Sequence, residues 1–124
     1  MPRFDACPPD FRAKCVTTVA DGGPTAMDPI PFSCSADEAF AAVRAVVQHY
    51  PRTEITEEAD GRYLDSIFRT RVFRWKDRVQ FEVDEEAEVI HFKSYSTPTY
   101  AGSDLGANRK RMNELTEQLR PRLG

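Results

Sequence analysis

Four consecutive stretches between Thr53 and Ser96 are built like β-strands, and the links between them are too short for anything but antiparallel pairing. Thr53 to Ala59 is polar and β-branched, and Asp60-Gly61 is a strong hairpin turn. Arg62 to Thr70 then sets Leu64, Ser66 and Phe68 against Tyr63, Asp65, Ile67 and Arg69. After an aromatic and basic link from Arg71 to Lys76, Asp77 to Asp84 sets Val79, Phe81 and Val83 against Arg78, Gln80 and Glu82. The acidic turn Glu85-Glu86-Ala87 leads into Glu88 to Ser96, where Ile90 and Phe92 alternate with His91, Lys93 and Tyr95. A four-stranded meander with one apolar face follows, and that face needs a cover.

Two helices supply it. Ser35-Ala36-Asp37-Glu38 is a capping box, with the hydroxyl placed to accept from the Glu38 amide and the carboxylate to accept from the Ser35 amide. Behind it Ala36, Ala39, Phe40, Val43, Val46, Val47 and Tyr50 recur at helical spacing until Pro51 stops the helix. Asp104 to about Leu119 places Leu105, Asn108, Met112, Leu115 and Leu119 on one face. Pro29 to Cys34 reads as a short edge strand, its prolines excluding a central position. The fold class is therefore α+β: two layers, an antiparallel sheet of about five strands in the order β-α-β-β-β-β-α, with both helices packed on one face. Residues 1–28 hold four of the nine prolines and the breaker Asp21-Gly22-Gly23-Pro24, and are expected to form an irregular arm packed on a single domain of residues 29–124.

At 124 residues, with 40% hydrophobic and 30% charged side chains, the chain is long enough for one domain with a modest core. A net charge of −3 gives no overall reason to expect nucleic acid or an anionic membrane as partner. No apolar run reaches the roughly 18 residues of a membrane span, and residues 1–20 lack the build of a signal peptide, so a cytoplasmic location is expected. In a reducing compartment Cys7, Cys15 and Cys34 are expected as free thiols, a Cys7–Cys15 bridge being the alternative for an exported or redox-active chain. The cysteine spacing and the separated His49 and His91 match no zinc pattern, so neither a metal nor a cofactor is expected.

The meander sorts charge by end. Glu57, Glu58, Asp60, Asp84, Glu85, Glu86 and Glu88 gather around its two hairpin turns. Arg52, Arg69, Arg71, Arg74, Lys76, Arg78 and Lys93 gather at the other end, with the stretch from Ser94 to Arg111 and the start of the last helix. A helix N-terminus adds unpaired amides and partial positive charge, which favour an anion. Arg69, Arg71, Ser94, Ser103, Asn108 and Arg109 are the candidate contacts for a small anionic ligand or an acidic peptide. Catalytic templates are missing: no nucleophile elbow, P-loop or dinucleotide fingerprint occurs, and Asp77 with Asp104 is the one carboxylate pair near the basic end.

The series Cys7-Pro8, Cys15-Val16-Thr17-Thr18, Arg69 to Phe81 and Ser103-Asp104-Leu105-Gly106-Ala107-Asn108-Arg109-Lys110-Arg111 resembles the bacterial family called domain of unknown function 1499. The stretch from Ser103 to Arg111 looks like that family's S-D-L-G-x-N-R-x-R signature. This chain departs where the family shows an aspartate pair before V-E-F, having Lys76-Asp77-Arg78-Val79-Gln80-Phe81. It departs again where the family shows R-S-x-S-R, having Lys93-Ser94-Tyr95-Ser96-Thr97. The resemblance implies a family without an established activity. Three readings follow: a non-catalytic binding module, an enzyme using Asp77 or Asp104 as general acid or base, and a purely structural signature in which Asp104 caps the helix and Asn108 anchors the loop before it.

Overall fold

The computed structural model describes residues 2–8, 14–19, 23–71, 75–96 and 106–124. Its strands are β1 (Cys15–Thr17), β2 (Ile30–Pro31), β3 (Thr53–Ala59), β4 (Tyr63–Arg69), β5 (Lys76–Asp84) and β6 (Val89–Ser96). The helices are α1 (Ala36–His49) and α2 (Ala107–Leu119), the latter ending in a 3-10 turn over Arg120–Arg122. The sheet is antiparallel, in the order β1-β6-β5-β4-β3, and β2 pairs with the remaining length of β6. The meander and the α+β class are as the alternation implies. The sixth strand is new: Cys15–Thr17, inside the segment read as irregular, pairs with the end of β6, Cys15 opposite Tyr95 and Thr17 opposite Lys93.

Local chemistry explains the element ends. Asp60 and Gly61 both adopt positive φ, 59° and 64°, which the tight hairpin between β3 and β4 requires. The Ser35–Glu38 capping box is present in both directions at 3.1 and 3.2 Å. At α2 the expected cap is corrected. Asp104 lies outside the described residues, and the N-cap is Gly106 at φ 82°, with Ala107 the first helical residue. The positive φ of Gly106 is a backbone conformation that glycine adopts without strain, and among the described residues nothing lies within 4 Å of where a side chain there would begin; the loop before it lies outside the described residues.

Both helices cover the same face. Leu64, Phe68, Val79, Phe81, Val83, Ile90 and Phe92 from the strands meet Ala39, Phe40, Val43, Val46 and Val47 of α1 and Met112, Leu115 and Leu119 of α2 in one apolar cluster. Ile30, Phe32 and Leu123 close its edge. The opposite face departs from a two-layer arrangement. Tyr63, Asp65, Gln80 and Lys93 point away from the helices and are nonetheless buried. Residues 2–8 account for this: Arg3 lies over the Tyr63 ring and pairs with Glu82, and Cys7 is joined to Cys15 by a disulfide. The expectation of free thiols at Cys7 and Cys15 is thereby corrected, and Cys34 is the free cysteine. Spacing alone could not reveal the bridge, because it depends on β1 joining the sheet edge.

Candidate functional site

Antiparallel register builds a polar corner at one end of the helix-covered face. Asp77 lies opposite Phe68 and Ser96, and Ser94 lies opposite Val79, so Asp77, Ser94 and Ser96 project together toward α2. From α2, Asn108 and Arg111 are three residues apart and share a face. Asn108 is fully buried and engaged on both sides of its amide. Its Oδ1 accepts from Ser94 Oγ at 2.7 Å, and its Nδ2 donates to the Lys14 carbonyl at 3.0 Å and to Ser96 Oγ at 3.1 Å. One side chain therefore ties α2, β6 and the entrance to β1.

Arg111 completes the corner. Its guanidinium donates to Asn108 Oδ1 at 3.0 Å and to Asp77 Oδ2 at 2.6 Å, and it lies over the Phe68 ring. Asp77 is 2% exposed, and among the described residues no donor reaches its Oδ1. A buried carboxylate oxygen without a donor costs about 1–3 kcal/mol. Tyr50 stands beside this corner, its ring against Phe68 and its hydroxyl donating to Glu114 Oε2 at 2.8 Å. Burial, then the Glu114 carboxylate, raises the Tyr50 pKa.

The six candidate contacts separate. Ser94 and Asn108 belong to the buried corner. Arg109 instead clasps the turn before β2, donating to the carbonyls of Pro24 at 2.8 Å and Ala26 at 3.4 Å. Arg69 pairs with Glu54 at 3.2 Å on the sheet's other face. Arg71 is exposed at the β4–β5 link, and Ser103 lies outside the described residues. Ser96, Arg111 and the Lys14 carbonyl were not among the candidates. The three-residue spacing of Asn108 and Arg111 was the available signal for Arg111; nothing local pointed to the carbonyl.

The family model described as a protein of unknown function, DUF1499, matches residues 5–119. The chain belongs to that family. No curated protein and no solved structure matches it. In this DUF1499 chain the described part of the signature-like stretch does internal work: Gly106 turns the backbone into α2, Asn108 and Arg111 build the corner, and Arg109 holds the neighbouring turn. Among the described residues of the DUF1499 chain no cluster of His, Cys, Asp and Glu could hold a metal ion, and no helix is long and apolar enough to cross a membrane.

The rim of this DUF1499 sheet differs from the corner. Arg69 and Lys76 are direct partners in the last pair of the β4–β5 ladder, and like charges placed opposite one another repel. Arg52 sits beside them, donating through Nε to the Arg69 carbonyl at 3.3 Å, and Arg71 follows two residues on. Glu54 brings a carboxylate to this group through Arg69. Trp75, 37% exposed, stands at the same link.

Proposed function

We propose that the protein is a small non-catalytic binding module whose basic rim, at the end where β4 is linked to β5, takes an anionic group, either a small anion or a carboxylate of an acidic peptide. The carrying observation is the facing pair Arg69 and Lys76, flanked by Arg52 and Arg71. Four cations brought to one rim by the strand register and its adjoining turns favour an anionic group there. In this reading Arg52, Arg69 and Arg71 make the contacts, while Ser94, Asn108 and Arg109 support the frame. Titration with inorganic phosphate and with a glutamate-rich peptide, followed by amide chemical shifts, tests it. Saturable shifts at the rim that weaken about tenfold in Arg52→Ala/Arg71→Ala are expected. No saturation, or saturation unchanged by that double variant, overturns the reading.

A second reading, an enzyme using Asp77 as general acid or base, draws support from the unpartnered Oδ1. It requires a reacting group to reach a side chain that is 2% exposed and already bound to Arg111. A cytoplasmic location suits the free Cys34, whereas a persistent Cys7–Cys15 bridge suits an oxidising compartment. The redox state of that pair in cells decides between them.

A further inference from the structure

The back face of the sheet, away from α1 and α2, carries chemistry that the basic-rim reading leaves unused. Its side chains form three rows across β4, β5, β6 and β1. Ile67, Arg78, Tyr95 and Cys15 make the first, Asp65, Gln80, Lys93 and Thr17 the second, and Tyr63, Glu82 and His91 the third. The rows are polar but internally paired. Arg78 bonds to Asp65 and donates to the Tyr95 hydroxyl at 3.0 Å, and Gln80 donates to the Tyr63 hydroxyl at 2.8 Å. Lys93, 9% exposed, lies over the Tyr95 ring.

Residues 2–8 cross these rows in order. Arg3 meets the third row, its amide donating to Glu82 Oε1 at 2.9 Å, its guanidinium pairing with Asp60 and lying over Tyr63. Phe4 is buried, 5% exposed. The Asp5 carboxylate acts on Lys93 of the second row, and Cys7 is bonded to Cys15 of the first. Among the described residues no backbone-to-backbone hydrogen bond joins this segment to the sheet. Three side-chain anchors hold it, a cation, a buried aromatic and one covalent staple, while the exposed Asp5 carboxylate is near enough to act on the Lys93 charge. The Lys93 environment agrees: burial lowers its pKa, and Asp5 opposes that while Arg78 adds to it.

We propose that the back face is a peptide-docking surface, which residues 2–8 occupy while the Cys7–Cys15 bridge is closed and which an extended segment of a partner protein, bearing an aromatic residue followed by an acid, occupies once a dithiol opens it. The partner's chemistry is that of the segment already seated: an aromatic for the Phe4 position and a carboxylate for Lys93. Cys7 is half-exposed and Cys15 buried, so the thiolate of the dithiol attacks Cys7 Sγ and Cys15 leaves as thiolate. The second thiol then resolves the mixed disulfide. Two electrons and two protons pass from the dithiol to the pair, giving two cysteine thiols and the cyclic disulfide of the reductant. Loss of the staple removes the restraint that made occupancy by residues 2–8 intramolecular on both sides.

The test uses the full chain and a fluorescent peptide with the sequence of residues 2–8 carrying Cys7→Ser. Anisotropy is read with the chain oxidised and after reduction by dithiothreitol. Binding roughly 10- to 100-fold tighter to the reduced chain is expected, with loss of most of the gain when the peptide carries Asp5→Lys. Arg71→Ala in the chain should leave this binding unchanged, which separates it from the basic rim. Equal binding to both forms, or none to the reduced form, overturns the proposal. Hydrogen exchange at the Arg3 and Phe4 amides provides a readout independent of any variant's folding. Faster exchange there on reduction, with β5 and β6 still protected, supports the opening, and unchanged exchange refutes it.

Discussion

The two faces of this sheet are buried by different means. Toward α1 and α2, apolar side chains from five strands and two helices interlock, and the polar corner around Asn108 is bonded from three directions. Toward residues 2–8, the buried side chains are aromatic, amide and charged, and their cover is one irregular segment with a disulfide at one end and an exposed ion pair at the other. A helix brings its own satisfied backbone and a whole apolar stripe, whereas an irregular segment brings a few anchors. The first arrangement makes a core, the second a cover that can leave while the core stays intact.

If that contrast holds, the largest loss comes from the helix-covered face. Phe92→Ala is expected to cost about 3–5 kcal/mol in urea denaturation, with all elements unfolding together. Arg111→Ala should cost about 3 kcal/mol, because it leaves the buried Asp77 carboxyl with neither oxygen paired among the described residues. Arg111→Met with Asp77→Leu should recover most of this; failure to recover would mean that the corner acts through its Asn108 bond instead. Cys7→Ser is expected to cost about 2 kcal/mol or less globally. Its main effect should be faster hydrogen exchange in residues 2–8, and a matching loss of protection in β5 would show the faces to be one cooperative unit. The smallest effect concerns Lys93, whose pKa is lowered from its ordinary 10.5. The unfolded chain then binds more protons between the folded value and 10.5, so this residue makes stability rise with pH across that window. Lys93→Met should flatten the rise, as read from denaturation midpoints against pH.

Much of the frame was legible because it depends on local chemistry. The Ser35–Glu38 box, the Asp60-Gly61 turn and the alternation of Leu64, Phe68, Val79, Phe81, Ile90 and Phe92 each act within a few residues, and together they define a meander with two helices on one face. The structure qualifies the separation of charge between the two ends: Arg3 and Arg62 sit among the acids of the turns, and Lys93 lies in the middle of β6. The candidate contacts were less legible. Residue type marked Asn108 and Arg109 as polar and close in the chain. Their backbone partners, the Lys14, Pro24 and Ala26 carbonyls, lie 94, 85 and 83 positions away and have no sequence signal, since every residue has a carbonyl.

What the sequence by itself determined, then, was periodicity, the hairpin turn at Asp60-Gly61 and the cap of α1, all set by neighbours along the chain. Tertiary structure alone decided that Cys15–Thr17 is a strand, that Cys7 reaches Cys15, and that residues 2–8 bury a polar face. It also decided that Arg111 pairs its charge with Asp77. These outcomes depend on which surfaces remain uncovered once the meander and helices have packed, a property of the assembled sheet that no local stretch of residues encodes.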